Sequence, residues 1–252
     1  MQLEDALGSK EAGIDSEQEA HLILNYPPSG QGELLTCPTV VLGNGGTIAL
    51  WYLPNALSCA AQATILQSLL PLQEQLASSI VAAAEDDRLV GCLEFTPASH
   101  MQGHMTCLFG PMILMDLNTN TMFQWANNMT ILNSILSGAL SVMHLQLYDA
   151  GIQGIWRMKY WATDNHPHIS WYDILASVSD YKDCIMHIPS LGIDLMYSLG
   201  TVVAFSGCLL LHGVNSVEGN RNCLTYYVWD NIHNFVGHLH SQSHGSSFHQ
   251  SH

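Results

Sequence analysis

Near the C-terminal end, two residues are of types that can act together on a small anion. His212 closes the apolar run Leu209 to His212, and Arg221 stands at the head of the next run, Cys223 to Val228, after a polar turn. An imidazole is the commonest side-chain metal ligand, and a guanidinium grips a carboxylate through two parallel charge-assisted hydrogen bonds. Taken singly, His212 reads better as a satisfied core histidine and Arg221 as an exposed turn cation. Their joint occurrence behind Gly200-Thr201-Val202-Val203-Ala204-Phe205-Ser206-Gly207 favours a shared site. Arginine is also scarce, since the chain has only six Lys or Arg against 21 Asp or Glu, which makes this one a poor candidate for surface decoration.

The elements that must position these residues follow from hydrophobic patterning. Residues 1–36 are acidic and turn-rich and are expected to form a loosely ordered leader, residues 37–237 a single domain, and the His/Ser-rich stretch 238–252 a disordered tail. Pro38 to Leu42, the turn Gly43 to Gly46 and Thr47 to Leu53 predict a hairpin. Residues 55–84 have helical spacing, with Asn55 as N-cap and Pro71 dividing the run. Ile131, Leu132, Ile135, Leu136, Leu140, Met143 and Leu147 form one stripe of a second helix over 126–149. Beyond Gly151 come short runs of strand length: Ile155 to Tyr160, Tyr172 to Val178, Cys184 to Ile188, Thr201 to Phe205, Leu209 to His212 and Cys223 to Val228. Helices followed by a compact antiparallel sheet give an α+β class.

Composition limits the function. The net charge of −15 repels polyphosphate and opposes nucleic-acid binding. Seven scattered cysteines without a CxxC pair argue against a disulfide framework or zinc ribbon and for a reducing, intracellular setting. The N-terminal residues lack the apolar core of a secretory signal, and the longest apolar run, Leu199 to Leu211, is too short to span a bilayer, so no membrane partner is expected.

The block Gly200 to Asp230 resembles the Fe(II)/2-oxoglutarate dioxygenases, in which the last metal-binding histidine is followed a short distance later by a basic residue. With Trp51 to Pro54, Ser141 to His144 and Trp171 to Leu175, it looks most like the fungal TET/JBP-like, transposon-associated group, over roughly residues 45–237. The resemblance implies a double-stranded β-helix (a jelly-roll or cupin-like barrel) flanked by N-terminal helices. It also implies Fe(II) and 2-oxoglutarate as cofactors and oxidation of 5-methylcytosine or a related methylated base in DNA, flipped out of the duplex; a DNA-directed member would be nuclear. His212 and Asp164 then become metal ligands and Arg221 the anchor of 2-oxoglutarate, helped by a hydroxyl such as Tyr226 or Thr201. Adjacent antiparallel strands are expected to bring His212 and Arg221 to one inner face.

One position departs from the family pattern. The His-x-Asp pair that completes the metal triad aligns its Asp with Asp164 and its His with Ala162, which cannot ligate. His166 or His168 restores a third ligand, or the chain is a catalytically degenerate, non-enzymatic member of the fold, or His168 and Asp173 form a spaced pair. Asp173 also reads as an ordinary strand-edge residue. Trp156, Tyr160 and Trp161 beside Arg157 and Lys159 offer base stacking and phosphate contacts, or else fill a core. An oxygenase of a small molecule or protein suits the acidic charge better than a DNA oxidase.

Overall fold

The computed structural model describes residues 16–25, 27–28, 30, 32–43, 46, 48–85, 125, 127–145, 148–149, 152, 173–182, 184–207, 210–215 and 219–226. Among the described residues, helices are delimited over Ser16–Asn25 (α1), Cys59–Leu69 (α2), Gln73–Glu85 (α3) and Thr130–Met143 (α4), and a 3₁₀ turn, Leu70–Leu72, joins α2 to α3. Nine strands follow the order Glu33–Leu35 (β1), Thr39–Leu42 (β2), Ile48–Leu53 (β3), Asp173–Tyr181 (β4), Ile185–Ile188 (β5), Ile193–Met196 (β6), Val202–Phe205 (β7), Gly213–Val214 (β8) and Gly219–Tyr226 (β9). They form a five-stranded sheet, β2-β3-β7-β4-β9, and a four-stranded sheet, β1-β6-β5-β8. The class is α+β, with two sheets and few helices.

Two cores give three layers. Between the sheets lie Leu50, Tyr52, Leu175, Tyr181, Met186, Ile188, Leu195, Tyr197, Val203 and Phe205. On the other face of the larger sheet, Ile174, Ala176, Val178, Val202 and Ala204 meet Leu57, Ile65, Leu132, Leu136 and Met143 from the helical side. Both faces of β4 and β7 are therefore covered, which explains their unbroken apolar sequence, since only a half-exposed strand alternates apolar with polar. Successive side chains of a strand point to opposite faces. On β4 the odd positions Leu175, Ser177 and Tyr181 thus enter the inter-sheet space while the even ones face the helices.

The hairpin forms as expected, Thr39 pairing with Tyr52 and Val40 with Trp51. Pro71 does break the first helical run, but the N-cap is Ser58, whose Oγ accepts from the Ala61 N–H at 3.2 Å. Asn55 instead occupies the left-handed region at φ 55° and turns the chain before the helix. The sheet begins inside the segment expected to be a leader, because β1 pairs in parallel with β6 through Glu33↔Ile193 and Leu35↔Leu195. Strand β6 was not foreseen, and Leu210 to His212 are not strand: the extended pair is Gly213–Val214. The run Ile155 to Tyr160 and the tail 238–252 lie outside the described residues.

Candidate functional site

Arg221 is the third residue of β9 and pairs in register with Ser179 of β4. Its guanidinium carbon lies 5.7 Å from the ring centroid of Tyr197, a fully buried residue of the inter-sheet core, so the side chain points between the sheets. A cation on an aromatic face gains a modest attraction. Among the described residues, however, no carboxylate pairs with Arg221 and no hydrogen bond satisfies its five donors. A half-buried charge without a counter-ion is costly, and an anion is the partner that such a charge lacks.

Polar groups unusual for a core surround it. Ser177 Oγ donates to Tyr181 Oη at 2.5 Å, and the Tyr181 hydroxyl in turn donates to the Tyr197 carbonyl at 2.8 Å. Burial pushes the Tyr181 phenol up to about 12, with the Ser177 hydrogen bond and the Arg221 charge working against that rise. Burial likewise raises the Tyr197 phenol, whose oxygen lies 3.5 Å from Cys223 Sγ. Thr201 sits next to Ser177, whose N–H donates to the Thr201 carbonyl at 3.0 Å. It is wholly buried, and its hydroxyl finds no partner among the described residues. The turn before it requires Gly200, at φ +75°, because a Cβ there would run into the Gln62 side-chain amide and the Leu57 carbonyl.

His212 immediately precedes β8. Its ring packs edge-on against Phe205 at 4.7 Å, and Phe205 belongs to the same inter-sheet core that Arg221 borders. Nδ1 lies 3.0 Å from the Leu210 carbonyl; in the Nδ1–H tautomer that bond leaves the Nε2 lone pair without a partner among the described residues, as when a backbone acceptor orients a metal-binding imidazole. Opposite stands Asp173, the first residue of β4, whose Oδ2 accepts from the Gly207 N–H at 3.1 Å. Gly207 admits it by lacking a side chain: a Cβ would collide with Asp173 Oδ2 and would lie 3.6 Å from His212 Cε1. Burial raises the Asp173 carboxyl above its ordinary range, with the Gly207 N–H and the nearby His212 opposing the rise.

His212 and Arg221 each border the inter-sheet core, but not from adjacent strands: His212 precedes β8 of the four-stranded sheet and packs on Phe205, which pairs with Asp173, whereas Arg221 lies on β9 of the five-stranded sheet and pairs with Ser179, six positions further along β4. The polar turn between them carries the chain from one sheet to the other. Thr201 lies on the inter-sheet side. Tyr226 does not, because it lies five positions, an odd offset, from Arg221 along β9. It faces the helices instead, where its hydroxyl donates to Asn133 Oδ1 at 2.9 Å. Asp164, His166, His168 and Ala162 lie outside the described residues, within which no cluster of three or more His, Cys, Asp or Glu forms. Sequence patterning favours Asp173 as an ordinary strand-edge residue. The contrary signal was its odd-numbered alignment with Ser177 and Tyr181, three polar groups on one face of an apolar strand.

In donor chemistry the described residues supply part of what each of the two expected groups needs: two metal donors, and a cation with a hydroxyl. A free imidazole nitrogen and a carboxylate suit a divalent iron, and an unpaired guanidinium with an orphaned hydroxyl suits a dicarboxylate. No family model matches the chain, and no curated protein does. Among solved structures the chain is similar to NgTET1 in complex with 5mC DNA, with a TM-score of 0.51 and 11% identity over 80% of each chain. At that identity the likeness is one of fold alone.

Proposed function

We propose that the chain is a double-stranded β-helix of the Fe(II)/2-oxoglutarate dioxygenase type. In it Arg221 grips the far carboxylate of 2-oxoglutarate, Thr201 adds a hydroxyl contact, and His212 with Asp164 holds Fe(II). The observation that supports this is the Arg221 guanidinium between the sheets, unpaired among the described residues, against a core that His212 also touches through Phe205. When bound, the iron and keto acid would supply oxygen activation toward a substrate C–H bond. The protein's own part is to hold the diacid by charge, fix the His212 tautomer through Leu210, and keep the inter-sheet space dry with Phe205, Val203 and Leu175. By likeness of fold to a structure holding 5mC DNA, the substrate class is a methylated DNA base.

A second reading is favoured by a specific residue: with Ala162 where the family carries a ligand, a non-catalytic member of the same fold would bind the diacid without turnover. The charge of −15 in turn favours a small-molecule or protein substrate over DNA. Anaerobic titration with Fe(II) and 2-oxoglutarate separates these readings. A visible charge-transfer band with succinate release on aeration supports the oxygenase. A folded chain with neither signal refutes catalysis, and gain of turnover in Ala162→His identifies the lost ligand. DNA affinity that weakens steeply with salt supports the nucleic-acid substrate. Salt-independent or absent affinity points to another.

A further inference from the structure

The geometry points to Asp173 as a protein ligand, together with His212, of a divalent cation, its carboxylate supplying a donor where Ala162 offers none. This rests on the metal-site reading above and adds to it a residue that the family pattern does not assign. Asp173, the first residue of β4, and His212, in the segment just before β8, converge on the bare Cα of Gly207. A structural role as acceptor for one N–H would occupy only Oδ2, whereas Oδ1 has no hydrogen bond among the described residues. The carboxylate is half-buried, with no cation in direct contact among those residues, an arrangement that a bound metal ion would neutralise. On the other side, His212 Nδ1 is committed to Leu210 and Nε2 has no partner among the described residues. One imidazole with carboxylate oxygens is a borderline-hard donor set of the kind that takes Fe(II) or Mn(II).

The test titrates Mn(II) alone into the full chain and follows free Mn(II) by its EPR signal. Asp173→Asn keeps an oxygen for the Gly207 N–H and should bind Mn(II) at least about tenfold more weakly than the wild type. Gly207→Ala keeps every donor but puts a methyl group where Oδ2 lies, and should also weaken binding. Asp180→Asn, an exposed position of the same strand, should leave affinity unchanged. Wild-type affinity in Asp173→Asn, with loss in His212→Ala, overturns the role of Asp173 and leaves the metal-site reading standing. Equal losses in Asp173→Asn and Asp180→Asn also overturn it. No Mn(II) binding by the folded wild type overturns both readings. If circular dichroism shows that Asp173→Asn does not fold, the Gly207→Ala titration decides by the same rule.

Discussion

Replacing Thr201 by Val should move stability and ligand affinity in opposite directions. Val keeps the β-branched shape and exchanges the hydroxyl for a methyl at a position of zero exposure, where that hydroxyl has no partner among the described residues. An unsatisfied buried polar group costs roughly 1–3 kcal/mol, so the ligand-free variant should be more stable by about 1 kcal/mol or somewhat more. For a chain of this size each kcal/mol corresponds to roughly 2–4 °C in Tm. The same change removes a donor for a bound carboxylate and should weaken 2-oxoglutarate binding about tenfold, equivalent to ~1.4 kcal/mol. Urea unfolding with and without 2-oxoglutarate reads both effects: the midpoint rises without ligand, while the ligand-induced rise shrinks. A ligand-free Thr201→Val that is less stable than wild type would show that the hydroxyl is already satisfied, and would refute its assignment to the ligand.

Ser179 pairs with Arg221 at φ 116°, a region that side chains avoid, so Ser179→Gly should stabilise the chain by about 1 kcal/mol in urea unfolding. Tyr226→Phe should cost about 1 kcal/mol through the lost Asn133 bond and leave 2-oxoglutarate affinity unchanged, since the hydroxyl lies on the opposite face. His187 is raised above the ordinary histidine value of 6.5 by its hydrogen bonds to Asp194 and Asn215. The sign follows: the protonated form is favoured in the fold, so its contribution is full below pH 6.5 and fades as pH rises through the raised value. His187→Gln should flatten that part of the Tm-versus-pH curve. The effect should stay under about 1 kcal/mol because the pair is solvent-screened.

Much of this was legible in the sequence where one physical signal dominated. The β2-β3 hairpin follows from a glycine turn between apolar runs, α4 from a helical stripe, and the break at Pro71 from a missing N–H. The sequence suggests His212 and Arg221 as a pair on adjacent strands, but it does not encode that the chain passes from one sheet to the other between β8 and β9, because crossing depends on tertiary packing rather than local pattern. Tyr226 shows the reverse failure: strand alternation alone would have placed it opposite Arg221. Leu209 to His212 read as strand because apolar content outweighed the absent alternation, and β6 was missed because Asp194, which binds His187 on the outer face, interrupts its apolar run.

The guanidinium between the sheets is tested most directly by calorimetric titration of 2-oxoglutarate, with Mn(II) and without oxygen, into the wild type and Arg221→Gln. A charged hydrogen-bond pair is worth roughly 1.5–3 kcal/mol. The wild type should therefore bind and the variant bind about tenfold to a hundredfold more weakly, with the fold unchanged. Equal affinity in the two proteins, or no binding by a folded wild type, would contradict the assignment of Arg221 as the anchor.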